Sequence, residues 1–490
     1  MDRDFKSKGN SVHVDSDLGL TSECLTAEDD RRILRRLDLC LLPVMALTYL
    51  FQYLDKSALA ATAIMGLPRD LHLSGSQYSW ASAINNFGGL AASYPLGVLM
   101  VRWKVGKTVA TSILVSGMIM MLMAACFNAG GLLAARFFLG AAEAAIAPGQ
   151  TIIISMFYKR REQPLRHAVW FLGNTCAGAF GGLLNYGISH IESIAPWKAS
   201  YLIIGATTFV WSIFLIFILP DTPLSALLVP KADRSKIIIR VQENLTGVKS
   251  DEFKWNQLVE ALLDVKTWIL VGIQLASNIP NGGITSFRSI ILKGIGFSTF
   301  DTLLLQCVPY LVQFFLVILG TVGSTYCRNT RTYWMMLNSA IALTGSILVQ
   351  ELPAHSKWGR YVGTCIMGAN SASFPLLVSI LSGNIGGFTK KSVVNSINFI
   401  AACTGNIIGP QLFYARQAPR YTSGFIALIV CHSTSILLTL VLRFYFIFVN
   451  KSRDKRRGSD IVDSDERQAQ TMRALFDETD KEIEMFRYVY

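Results

Sequence analysis

Apolar positions along the chain fall in blocks of about twenty residues, separated by short polar connections. Twenty residues of helix rise about 30 Å, the thickness of a hydrocarbon core, so each block predicts a helix that crosses a bilayer. Twelve are predicted, at about 38–62, 78–100, 108–127, 131–157, 165–190, 199–219, 267–292, 303–325, 332–350, 359–382, 392–414 and 422–449. A polar stretch divides them six and six. It contains SKIIIRVQENLTG, of helical period, and FKWNQLVEALLDVKTW, which leads into the seventh span; both read as surface helices of a linker. The predicted organisation is a tail over 1–37, a six-helix half over 38–220, a central loop over 221–265, a second half over 266–449 and a tail over 450–490. The last tail opens with the basic run KSRDKRRGSD and reads as partly disordered.

Composition agrees with this pattern. A chain of 490 residues would ordinarily make three soluble domains of roughly 150 residues. Here 51% of residues are hydrophobic and only 16% charged, where soluble domains carry about 25% charged residues, and the mean hydropathy is +0.40. These values exclude a soluble enzyme, a disordered regulator and a disulfide-stapled secreted domain. The net charge of +12 changes the picture only through its distribution. With the amino terminus inside, the external loops hold six basic residues (Arg69, Lys198, Lys293, Lys357, Arg360 and Arg420), and most others lie in cytosolic connections and tails. That asymmetry predicts both termini in the cytosol, and it accounts for the charge without nucleic acid. Residues 1–37 are polar and end in Arg31, Arg32, Arg35 and Arg36, so the first helix reads as an uncleaved signal-anchor. Most of the nine cysteines lie inside apolar segments without CxxC spacing, and the six histidines form no metal motif. No metal and no cofactor are expected.

The two halves repeat one another. Cys176, Gly178 and Gly182 recur 227 positions later as Cys403, Gly405 and Gly409, and Pro148 recurs as Pro375. Gly97 and Arg102 recur 226 positions later as Gly323 and Arg328. Two parallel six-helix repeats resemble the plan of the major facilitator superfamily.

Several stretches resemble one branch of that superfamily, the fungal allantoate permease family of anion:cation symporters. They include YLDKSALAATAIMGLPRDL at 53–71, RFFLGAAEAAIAPG at 136–149, SMFYKRRE at 155–162 and LPDTP at 219–223. The second half adds NGGITSFRSIILKGIGFS at 281–298, SFPLLVSILSGNIGGFTKKSVVNSINFIAACTGNIIGPQLF at 373–413 and the ending FRYVY. The resemblance implies an all-α membrane protein of twelve helices in two pseudo-symmetric halves. It also implies a secondary transporter that takes up small organic, usually carboxylated, solutes with protons. The loop GVLMVRWKVGK keeps Gly97, Arg102, Gly106 and Lys107 but lacks the acidic residue usual there. Arg288 stands where relatives commonly have a small or apolar residue.

Ionisable groups within a membrane span cost roughly 2.5–3.5 kcal/mol on insertion scales, so each requires a reason. Arg136 and Glu143 lie seven positions apart on the fourth span, on one helix face and about 10 Å apart in depth. Arginine suits a carboxylate ligand. A carboxylate at low dielectric favours its protonated form, and a nearby cation opposes this, so such a group can load and release a proton. The reading is that Arg136 anchors an anionic substrate and Glu143 carries the coupled proton. At the repeat displacement they correspond to Gly363 and Asn370, which places the charges in the first half and amides in the second. Asn85, Asn86, Asn174, Gln274, Asn278, Asn370 and Asn406 are candidate cavity-lining amides. Asp55 and Lys56 read as the outer end of the first span, with Asp55 a candidate for proton entry. Gly97, Arg102 and Lys107 read as an inner latch. Arg288 reads as a gating residue at the outer end of the seventh span, beyond Asn281–Gly282–Gly283, where the glycines could unwind the helix. VGKT at 105–108 is not a phosphate-binding loop, because Val101 stands where that motif needs glycine. Asn244 matches the glycosylation pattern but falls in the predicted cytosolic loop.

The expected function is import of a small organic anion by proton symport, by a monomer with protons and the lipid bilayer as its other partners. The plasma membrane is the expected site, with the vacuolar membrane as alternative. Export of a metabolite and substrate sensing without transport are the competing functions.

Overall fold

The computed structural model describes residues 27–74, 76–159, 162–223, 230, 233–234, 236–237, 240, 254–327, 329–457, 478–483 and 486–490. Asn244 and most of SKIIIRVQENLTG lie outside them. Among the described residues every regular element is a helix. The spans are, in order, Ala27–Ile64, Gln77–Arg102, Val105–Met123, Ala129–Glu143 with Ile146–Phe157, Gln163–Ile188 and Pro196–Ile218. They continue with Val265–Ile295, Thr299–Leu305 with Cys307–Tyr326, Arg331–Glu351, Lys357–Ile366 with Phe374–Asn384, Phe388–Gln411 and Thr422–Arg457. Nine of these spans are long and apolar enough to cross a membrane. The second, fifth and seventh are long enough, at 26, 26 and 31 residues, but more polar. Their positions explain this: they pack on the eleventh, eighth and first spans, between the two halves. Phe217 and Phe448 are among many large apolar side chains turned outward, as a lipid-facing surface requires.

The same neighbours recur in each half. The first span packs on the fifth and sixth, the third on the fourth and sixth, and the second on the fourth. The seventh likewise packs on the eleventh and twelfth, the ninth on the tenth and twelfth, and the eighth on the tenth. The repeated glycines nevertheless do different work. A Cβ on Gly405 or Gly409 would fall 2.8 or 2.3 Å from the seventh span, so these two allow close packing inside the second half. A Cβ on Gly178 or Gly182 would instead strike Tyr310 or Leu303 of the eighth span, across the seam between halves.

Proline breaks the fourth and tenth spans at matching places. Pro148 has no N–H for the carbonyl four residues earlier, and the helix stops at Glu143 and resumes at Ile146. Pro375 does the same beside a 3₁₀ turn over Ala369–Ser373. Glu143 and Asn370 therefore both sit at interruptions.

One apolar core spans both halves at the end remote from the termini, joining Leu54, Leu67 and Tyr78 to Phe287, Ile291 and Phe413. At the terminus end the core is split. Ile33, Ile113 and Phe157 belong to one cluster, and Ile273, Ile380 and Phe446 to another. The halves are thus closed at one end and separate at the other.

The terminus end differs from the sequence expectation. The first helix begins at Ala27, inside the predicted tail, because Ile33, Leu37 and Leu41 bury one face. Asp30 of this extension pairs with Arg240 of the central loop at 2.7 Å, and fully buried Arg240 also holds Glu162. The last residues, expected to be polar tail, are packed in place. Asn384 exchanges two hydrogen bonds of 2.7 Å with the Val489 backbone, and Tyr488 stacks on Phe446 at 5.0 Å. Asp480 is bound by Lys266 and by Lys390, the latter at 2.8 Å. Each half therefore has a following segment folded back onto its inner end. The short helix Trp255–Leu263 fits the predicted surface helix.

Candidate functional site

The second and fourth spans meet through glycines at backbone distance: a Cβ on Gly88 would lie 1.9 Å from the Phe137 carbonyl oxygen, and one on Gly140 1.8 Å from that of Asn85. This crossing fixes Arg136, which is buried and donates from Nε to the Ala81 carbonyl at 3.1 Å. Glu143 is buried two turns deeper, and the Asn85 amide faces its carboxylate. Asp55 does not lie at the outer interface. The first helix runs nine residues further, to Ile64, which buries Asp55 completely; neither carboxylate oxygen has a hydrogen-bond partner. Glu143 Oε1 has none either. Asp55, Glu143, Arg136 and partly buried Lys56 lie within electrostatic reach of one another. Tyr49 adds a hydroxyl close to Asn174 and Glu143.

The remaining amides separate into two groups. Asn406 donates to Asn278 Oδ1 at 3.2 Å and accepts from Asn281, whose Oδ1 accepts from Ser371 at 3.2 Å. This chain links the seventh, tenth and eleventh spans. Gln274 is buried one turn before Asn278 and accepts from its amide through the backbone. Asn370 is turned away from this chain and accepts from Ser339 of the ninth span at 2.8 Å, while its neighbour Ser371 occupies the inner position. Asn86 is half-buried beside Asn85.

Arg288 neither snorkels outward nor follows an unwound segment. The seventh helix is continuous through Asn281–Gly282–Gly283, because those glycines let the eleventh span approach: a Cβ on Gly282 would lie 2.7 Å from Asn406 Cα. Arg288 is 5% exposed, and its guanidinium lies 4.5 Å from the Tyr310 ring centroid.

At the inner loop, a Cβ on Gly97 would meet nothing within 4 Å. The Arg102 side chain lies outside the described residues. Lys107 is exposed, and its backbone N–H donates to Asp221 Oδ1 at 3.1 Å. The acid missing from this loop is thus supplied from LPDTP, at the end of the sixth span. Carboxylates converge among the described residues at Glu260, Asp264 and Asp480 in a way that could hold a metal ion. Lys390 Nζ already sits among all three, at 2.8, 2.9 and 2.8 Å.

The model of the Major Facilitator Superfamily matches residues 45–410. The chain belongs to this superfamily. Within it the chain falls in the allantoate permease-like fungal branch. It is 32% identical over 463 residues to the allantoate permease of Saccharomyces cerevisiae, covering 91% of this chain and 85% of that one. An uncharacterised transporter of Schizosaccharomyces pombe is 34% identical, covering 95% and 87% of the two chains. A thiamine pathway transporter of Saccharomyces cerevisiae is 29% identical, covering 94% and 86%. A bacterial homologue of the human lysosomal transporter Spinster, solved inward-facing and unoccupied, has the same fold, with a TM-score of 0.57 at 12% identity over 86% of this chain and 97% of that one. The chain is therefore a multi-pass membrane transporter and not an enzyme.

Sequence reasoning missed several parts of this transporter's polar interior. Tyr49, Tyr53, Tyr310 and Ser371 all contribute, and each looks in sequence like an ordinary residue of an apolar or loop-like segment. Asn281 and Lys56 stand out in the sequence, but only as part of a possible hinge and as the outer end of the first span. Spacing along the seventh helix, with Gln274, Asn278 and Asn281 on one face, was the available signal.

Proposed function

We propose that the transporter imports a small organic anion together with protons, by alternating access, across the plasma membrane with both termini in the cytosol. The observation that carries this reading is the pair Asp55 and Glu143, buried in the interior with three carboxylate oxygens that no donor serves. Burying such oxygens bare is expensive, and a mobile proton is what satisfies them. Lys56 and Arg136 balance the two acids charge for charge, so the cluster is neutral with both ionised. Arg136 belongs to this proton site more than to the cargo, because its Nε is committed to Ala81 and its charge is met by the acids. Its unpartnered Nη1 is free to follow whichever carboxylate is ionised. The split core at the terminus end supports a state open to the cytosol, from which cargo and proton would be released. The likeness to a permease named for allantoate, a carboxylate anion, supports an anionic cargo.

The test is uptake of radiolabelled carboxylates, vitamins and small peptides in a permease-deficient fungal host at acidic and neutral pH. Accumulation stronger in acid and abolished by an uncoupler is expected. Accumulation that is indifferent to both, or strict efflux from preloaded cells, overturns the reading.

A further inference from the structure

The buried charges of the interior do not balance once Arg288 is counted. Lys56 and Arg136 answer Asp55 and Glu143, two against two, and Arg288 is left over. Its Nε and Nη1 have no hydrogen-bond partner, although the side chain is 95% buried (5% exposed). No carboxylate among the described residues pairs with it. Its guanidinium is backed by the Tyr310 ring at 4.5 Å, a cation–π contact that fixes the plane and leaves the N–H groups open. Gly368, at the break in the tenth span, makes room for it: a Cβ there would come within 2.7 Å of Nη2. Tyr53 of the first span meets Tyr310 edge-on at 6.1 Å.

A desolvated cation needs an anion, and none of the described residues provides one. We propose that Arg288 anchors the carboxylate of the cargo and selects monoanionic carboxylates over their uncharged analogues. The proposal rests on the anion-transport reading and assigns the anion its place within it. The place is informative. Arg288, Tyr310 and Gly368 belong to the second half, whereas Tyr53 belongs to the first and Gly178 of the first half lies against the Tyr310 ring. A carboxylate on Arg288 therefore sits on the seam that must open and close. The proton site lies in the first half and the anion site in the second, so cargo and proton act on opposite sides of the same moving interface.

The experiment uses the full chain in the same host, with a transported monocarboxylate as labelled cargo and its primary amide as unlabelled competitor. For Arg288→Gln, the KM for the acid rises about 10- to 100-fold, the loss expected of a charge-assisted hydrogen bond, while inhibition by the amide is unchanged. Arg288→Lys falls between, since it keeps the charge but not the planar fork. Gly368→Ala moves only the flexible end of Arg288 and shifts acid-over-amide preference in the same direction. An unchanged acid KM in Arg288→Gln, or an equal loss of acid and amide, overturns the proposal. Should Arg288→Gln not reach the surface, Gly368→Ala decides, and unchanged preference there overturns it. A wild-type chain that carries no carboxylate at all is a separate result: it refutes the anion reading itself, and the assignment of Arg288 falls with it.

Discussion

Replacing Gly140 by alanine attacks the crossing on which the proton site is built. The added Cβ would sit 1.8 Å from the Asn85 carbonyl oxygen and 2.6 Å from its carbonyl carbon. Real Cβ atoms essentially never come within 3.0 Å of such neighbours, so the second and fourth spans must part by at least 1.2 Å, the difference between 3.0 and 1.8 Å. Both obstacles are backbone, so no rotamer relieves them. About one turn away, Arg136 Nε donates to Ala81 at 3.1 Å, and the same separation would take that distance beyond hydrogen-bonding range. A lost hydrogen bond from a charged group costs roughly 1.5–3 kcal/mol, and overpacking a tight contact adds about 1–3 kcal/mol. Gly97→Ala is the internal control. Its Cβ meets nothing within 4 Å, and alanine is favoured over glycine in a helix by about 1 kcal/mol. Thermal unfolding of the purified chains, with uptake in cells, gives the comparison. Gly140→Ala should unfold several degrees lower and transport little, while Gly97→Ala should unfold at or above the wild-type temperature. Equal melting temperatures for Gly140→Ala and wild type, or equal damage from the two substitutions, would refute the reasoning.

Other expectations are as definite. Glu143→Gln should abolish uphill accumulation while leaving exchange of cargo in place, and Asp55→Asn should do the same; persistence of pH-driven accumulation in both removes them from coupling. Burial alone would raise the Asp480 carboxyl, but the charges of Lys266 and Lys390 and their hydrogen bonds outweigh it and hold it at about 2, against an ordinary 3.8. A lowered folded-state value stabilises above the ordinary range, by about 2 kcal/mol here, and the contribution is lost as pH falls from about 4 to about 2. Protection of residues 478–483 and 486–490 from hydrogen exchange should therefore be flat between roughly pH 5 and 8 and be lost in Asp480→Ala, whereas a change within that window would contradict the assignment. Asp221→Ala should remove the bond to the Lys107 N–H and lower stability by about 1 kcal/mol, measurable as a reduced melting temperature.

What the sequence determined by itself was everything that depends on solvent preference and repetition. Blocks of twenty apolar residues have one stable solution in a bilayer, so the helices and the two-fold repeat were legible, and Arg136 and Glu143 stood out because charge inside such a block is costly. Family membership was also legible, through 373–413 and the other matching stretches. What only the tertiary structure decided is where each side chain points and what it meets. Asp55 reads as an interfacial residue until its side chain is found completely buried beside Glu143 and Arg136. Gly282 and Gly283 read as a hinge until the eleventh span is found against them. Gly178 and Gly405 are equivalent in sequence, yet one packs across the seam and the other within a half. The carboxyl-terminal residues read as a loose tail, because nothing local shows that Asp480 has Lys390 and Lys266 waiting 90 and 214 residues away in sequence. Arg288 is the sharpest case. Its cost was visible in the sequence, but that it is buried without a counter-ion is a property of its surroundings, which distant segments supply. Periodicity is a local quantity, whereas charge balance and close packing are sums over neighbours that only folding brings together.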